Sequence, residues 1–300
     1  MSRCSGLAVL LLLVTTPLIS QTSSKTNAAP EEWKPVEAAM GRPGAVQPGD
    51  VYKFAMPRKD LHVSVEGTPI KAGLALGSWV AFKKMGNETV VMGDLVLTED
   101  EVEPVMLKLQ ENRIEQSALH NHLLHESPRV MYMHVAGHGD AAKLGTAIHD
   151  ALALTKTPGA SASAPAQPTN YGFDTSQIDS ILGHKGKDNG GIYQVGVPRA
   201  EKIMEDGMEV PPSMGTATSI NFQPTGGGRA AITGDFVLLG KEVNPVIRAL
   251  RQNGIEVTAI HSHMLTEEPR LFFMHFWANN DAMKLAKGLK AALDQTNSAK

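Results

Sequence analysis

The sequence predicts an α+β fold built twice, as two tandem antiparallel sheets that each carry helices on one side. Three observations predict it: the chain matches itself after a fixed shift, each copy has a strand-helix-strand-strand-helix order, and a Pro/Ala/Ser stretch separates the copies. The shift is the interval of 141 from Asp94 to Asp235, and it also superimposes Glu101-Val102 on Glu242-Val243 and Pro104-Val105 on Pro245-Val246. Upstream, Pro57-Arg58 matches Pro198-Arg199 at the same interval. Two copies are too few for a solenoid, so each unit must bury a core of its own or share one.

Within the first copy, residues 90–97 are β-rich and apolar. Thr98-Glu-Asp-Glu101 then has the spelling of a capping box, and Val102, Val105, Met106 and Leu109 follow at helical spacing. Pro104 and Pro245 are expected in the first turn of their helices, where a missing N–H costs little. Residues 114–124 and 129–136 read as a hairpin around Ser127, and Asp140 caps a last helix with Leu144, Ile148 and Leu152 on its inner face. Residues 61–65 and 74–82 add earlier strands, and Gly226-Gly-Gly228 reads as a hairpin turn. The stretch 156–170 has no apolar period and reads as a linker between a first domain at 30–155 and a second at 171–300. Cleavage within 160–168 is therefore expected to release two folded halves.

The first residues set the compartment. Arg3 precedes an apolar run at 7–14 and then small and polar residues, the order of a secretory signal peptide, here placed at 1–29. The run is shorter than the ~20 apolar residues a membrane span needs, so the mature protein is expected to be exported, periplasmic or secreted, with no stable membrane anchor. Cys4 is the sole cysteine and precedes the apolar run, which leaves the mature chain without disulfides, thiolate nucleophiles or thiolate metal ligands. Hydrophobic residues at 42% suffice for ordinary cores, and a net charge of −3 without a basic stripe disfavours nucleic-acid binding.

The chemistry-bearing residues are histidines. His120 and His122 are two apart on a strand and so share a face, and a hairpin centred on Ser127 places His134 directly across from His120. His261, His263 and His275 repeat the set in the second copy. Three neutral imidazoles can hold a divalent ion such as zinc and leave one position open. Glu126 and Glu267, four residues beyond the second histidine, are candidate fourth ligands or turn carboxylates. Packed, hydrogen-bonded strand histidines are the commoner case, but all three survive in both copies while their surroundings have diverged.

Other polar residues shared by the copies are also candidates. Asp94 and Asp235 are site carboxylates or turn caps; Arg129 and Arg270 are ligand partners or, more simply, ion-pair partners of Glu115 and Glu256. Trp277, on the histidine face, could floor a pocket that Ala136 does not provide in the first copy. No Gly-x-Ser-x-Gly elbow, phosphate loop or dinucleotide fingerprint is present, so neither reaction nor substrate is legible. Two functions follow: a metal-dependent site for an unknown small ligand or envelope component, with hydrolysis by metal-activated water as one use, or a non-catalytic periplasmic binding or scaffold protein with structural histidines.

The His-x-His-x-x-x-Glu spelling at 120–126 resembles the first motif of cupins, although flanking helices argue against a cupin barrel. Residues 258–277, with Gly234-Asp-Phe-Val-Leu238, resemble the LppY/LpqO family of exported bacterial proteins. That resemblance covers nearly the whole mature chain and implies export and an internal duplication. It implies no reaction, and the lipid-attachment cysteine found in some members is absent.

Overall fold

The computed structural model describes Met1, residues 29–160 and residues 169–299. Residues 2–28 of the expected export signal and residues 161–168 of the expected linker lie outside the described residues. The first copy comprises α1 (Lys34–Met40), β1 (Ala45–Gln47), β2 (Val51–Pro57), β3 (Gly77–Met85), β4 (Glu88–Thr98), α2 (Glu99–Glu111), β5 (Glu115–His120), β6 (Val130–Gly139) and α3 (Ala141–Leu152). The second repeats the order with α4 (Thr175–Leu182), β7 (Lys187–Asp188), β8 (Tyr193–Pro198), β9 (Ala217–Gly226), β10 (Arg229–Leu239), α5 (Gly240–Gln252), β11 (Glu256–His261), β12 (Leu271–Asp281) and α6 (Ala282–Leu293). Each copy forms its own antiparallel sheet, in the order β1-β2-β3-β4-β6-β5 and β7-β8-β9-β10-β12-β11. The fold is the predicted α+β duplication.

Strand alternation decides the layers. In the first copy Val91, Leu95, Met133 and Val135 face Val36, Val105, Leu109 and Ile148 of the helices. Their neighbours along β4 and β6 point the other way, into clusters that contain residues of both copies. Val96 and Tyr132 pack with Ile192, Ala231 and Trp277, while Ala81 and Met92 pack with Val237, Leu271 and Phe273. The result is four layers, with two sheets face to face and helices outside both. Each sheet thus buries its second face in clusters that join connecting residues of its own copy, such as Val65 and Leu74 or Val210 and Met214, to strands of the other. Separated halves would keep the helix-side core of each copy but expose the apolar strands between the sheets, so cleavage within 160–168 is expected to lower the stability of both halves. The start of the linker is also held to the first copy, where Lys156 N–H donates to Glu101 and Arg42 donates to the Pro158 carbonyl.

Buried arginines explain the matching Pro-Arg pairs. Arg58, wholly buried, donates to Glu101 at 2.7 Å and to the Val96 carbonyl at 2.8 Å; Arg199 repeats this with Glu242 and the Val237 carbonyl, each at 2.7 Å. The same glutamates accept from the N–H that opens α2 and α5, Thr98 at 2.9 Å and Leu239 at 2.8 Å, so one carboxylate joins strand, helix start and arginine. Because those helices begin at Glu99 and Gly240, Pro104 and Pro245 fall in the second turn and not the first, and each helix forgoes one internal hydrogen bond. Gly226, Gly227 and Gly228 all have positive φ (93°, 58° and 76°) and form the predicted turn, between β9 and β10.

The predicted tight hairpin at Ser127 is corrected. Residues 126–127 leave the main sheet and pair with residues 64–65. An irregularity in β5 between Gln116 and Ala118 then sets the register, so that His134 lies opposite Ala118 and His120 opposite Tyr132. The slip is an even number of residues, so every side chain keeps its predicted face.

Candidate metal centre between the repeats

The two histidine triads do not form separate sites. Each lies on the sheet face that the other copy covers, and the six imidazoles meet in one cluster between the sheets. Ring centroids of three cross-copy pairs stand close together: His120 and His261 at 3.7 Å, His122 and His275 at 3.8 Å, and His134 and His263 at 3.8 Å. The first pair consists of equivalent residues, and the other two exchange under the duplication, so a pseudo-two-fold runs between His120 and His261. Reciprocal bonds hold the halves in register. Ser117 Oγ donates to the His263 carbonyl, and its counterpart Thr258 Oγ1 donates to the His122 carbonyl.

One histidine is oriented by backbone. His275 Nδ1 lies 2.7 Å from the Gly234 carbonyl. A carbonyl can only accept, so Nδ1 carries the proton and Nε2 presents its lone pair. Glycine at this position and at its counterpart, Gly93, lets the neighbouring strand approach closely: a Cβ at Gly234 would stand 1.9 Å from the Ser219 carbonyl oxygen, and one at Gly93 2.6 Å from that of Trp79. Around the cluster, buried His134 Nε2, His122 Nε2, His120 Nδ1 and His261 Nδ1 have no hydrogen-bond partner among the described residues.

The following residues, buried Asp94 and half-buried Asp235, lie on the same face and join the site. Asp235 Oδ2 is 3.1 Å from His263 Nε2, and Asp94 Oδ2 is 3.7 Å from His122 Nε2. Burial drives all six imidazoles toward the neutral form, with His263 lowered to about 3. Burial also raises the carboxyls, Asp235 to about 6 and Asp94, further pushed by the charge of Asp235, to about 8. Neutral imidazoles are the form that ligates metal. His120, His261 and His275, and likewise His134, His261 and His263, each bring one donor atom within 4.8 Å of the others.

Five sequence candidates lie elsewhere in the fold. Glu126 accepts from Val130 N–H and Glu267 from Leu271 N–H, so both close the turn after the His-x-His pair and are not ligands. Arg270 bonds Glu267 at 3.1 Å instead of Glu256, and Arg129 stands 3.9 Å from Glu99 instead of Glu115, because both arginines sit at the turn and not along β5 or β11. Trp277 floors no pocket at the cluster; it is buried in the apolar contact with Val96 and Leu76. Three neighbours of the site went unread. Tyr132, two residues before His134 and hence on its face, stacks on His122 at 3.3 Å with its hydroxyl buried and unpartnered. Trp79 lies across from Asp94, and Lys53 Nζ sits 3.7 Å over the Trp79 ring while donating to the Ser213 carbonyl at 2.9 Å. Tyr132 was available from alternation alone; the other two needed strand order.

The family profile described as Domain of Unknown Function (DUF1259) matches residues 34–154 and again 176–295. The chain belongs to that family. This DUF1259 protein thus carries the domain twice, and its metal-ligand candidates come from both copies. No curated protein matches it. Among solved structures it has a distant likeness to a trimeric bacterial microcompartment shell protein, PduB (11% identity, 87% of this chain and 96% of that one, TM-score 0.22). A second is EtuB from Clostridium kluyveri (8% identity, 84% and 88%, TM-score 0.20). Scores that low carry no argument about function or assembly.

Proposed function

We propose that this protein is an exported divalent-metal protein whose metal centre lies between its two repeats. One observation carries the reading: His275 gives its Nδ1 proton to the Gly234 carbonyl at 2.7 Å and aims Nε2 into a cluster of other neutral imidazoles, in which His134 Nε2 is buried without a partner. A metal-ligating histidine almost always donates its second N–H in this way, which fixes tautomer and ring orientation. Imidazole donors with carboxylates alongside suit zinc and other first-row ions, and the absence of cysteine in the mature chain removes softer alternatives. A bound ion would supply Lewis acidity and an activated water, with Asp94 and Asp235 placed to accept its proton; hydrolysis of a small ligand is the chemistry this allows. Export rests on the charged start and apolar run of the sequence, and accords with the LppY/LpqO resemblance.

The test is elemental analysis of mature protein purified without a polyhistidine tag, with melting measured before and after chelation. Stoichiometric metal and a lower Tm in chelator are expected. No metal and unchanged melting would leave the imidazoles as a hydrogen-bonded core, favoured by the 3.0 Å His261–His263 and 3.3 Å His120–His275 nitrogen contacts, and the scaffold reading would replace this one.

A further inference from the structure

We infer that the centre has two seats, each for one divalent ion, related by the pseudo-two-fold between the copies; the inference rests on the metal reading above. Two nitrogen–nitrogen contacts in the cluster are short, His120 Nε2 to His275 Nε2 at 3.3 Å and His261 Nε2 to His263 Nε2 at 3.0 Å. Metal–nitrogen bonds of ~2.0–2.1 Å at tetrahedral angles set donors about 3.3 Å apart. Both contacts are therefore edges of a coordination polyhedron, and they share no residue. One ion sits on each edge.

The third donor of each seat follows from the remaining rings. His134 stacks on His263 and forms a metal-capable triad with His261 and His263. On the other edge His261 also lies within 4.8 Å of His120 and His275. With His261 engaged in the first seat, the third donor here is His122, which stacks on His275 with its Nε2 buried without a partner. The sets His120/His122/His275 and His261/His263/His134 are exact images under the interval of 141, so each ion takes two ligands from one copy and one from the other. Asp94 and Asp235 stand beside His122 and His263, one carboxylate to a seat. Six imidazoles and two carboxylates exceed the four to six donors that one first-row ion takes, whereas four to a seat completes a tetrahedron.

Apo protein, full mature chain, is titrated with Co²⁺ and with Cu²⁺. Two ions per chain are expected, with spin–spin coupling between two bound Cu²⁺ in electron paramagnetic resonance. His122→Gln and His263→Gln should each retain one ion and lose the coupling, with circular dichroism melts confirming that each variant is folded. A wild-type protein that saturates at one ion per chain overturns the two seats while leaving the metal reading in place. One that binds none overturns both. The wild-type count decides the matter even if a variant fails to fold.

Discussion

The two halves of the centre share their ligands and differ in what surrounds them. On the first-copy side His122 stacks on Tyr132, whose hydroxyl is buried without a partner, and Glu126 Oε2 beside it is equally unpartnered. On the second-copy side Phe273 takes the tyrosine's place under His263, and Glu267 is held by Arg270 at 3.1 Å. Lys53 and Trp79 flank Asp94, and their counterparts Gln194 and Ser219 carry no charge or aromatic ring. The His/Asp set was therefore kept through duplication while its surroundings diverged, which leaves one side with a phenylalanine and a paired glutamate and the other with an unpartnered tyrosine hydroxyl and glutamate oxygen.

The largest expected effect breaks both halves at once. In metal-free protein the six imidazoles stay neutral in the fold but take protons when unfolded, so stability is present above about pH 6.5 and falls as the pH drops below it. Each such group contributes roughly a tenfold loss in the folding equilibrium per pH unit. Asp94 and Asp235 act oppositely, since their raised values stabilise the fold as pH falls through about 8 and about 6, but two carboxyls do not offset six imidazoles. Denaturant midpoints in chelator at pH 7.5 and 5.5 check this; equal midpoints would show that the histidines are not held neutral.

Arg58→Ala and Arg199→Ala probe where the copies are alike. Each leaves a buried carboxylate without its partner, at a cost of about 3–5 kcal/mol. Similar losses in chemical denaturation are expected, and a loss in only one copy would show that the halves do not fold as equivalents. Gly234→Ala and Gly93→Ala should separate them more gently. The added Cβ meets a carbonyl oxygen at 1.9 Å in the first and 2.6 Å in the second, so overpacking of about 1–3 kcal/mol should fall harder on Gly234. The smallest effect is the sharpest. Tyr132→Phe makes the first half resemble the second, and removal of an unpartnered buried hydroxyl should raise metal-free stability by up to about 1 kcal/mol. If the same change weakens metal-dependent ligand binding, the hydroxyl belongs to the site; if it changes neither, the asymmetry is incidental.

The fold class was legible because duplication, strand alternation and the helix starts are local patterns. Faces were legible too, which is why the six histidines were singled out although the register around Ser127 was two residues off. Asp94 and Asp235 stood out only because both copies keep them, and the turn-cap alternative fails because each lies inside a strand. What could not be read was the partner of each face. Nothing local in residues 120–134 or 261–275 says that each triad points at the other, so one shared centre looked like two sites. Glu126, Glu267 and Trp277 were drawn toward the metal by sequence proximity, whereas a backbone N–H and an apolar interface claim them.

The most direct test of the central claim is a crystal of the full chain grown with Zn²⁺, with anomalous differences collected on both sides of the zinc edge. The account predicts density between the two sheets, within bonding distance of imidazoles from both repeats. Anomalous density confined to surface carboxylates, or ligands from one repeat alone, would contradict it.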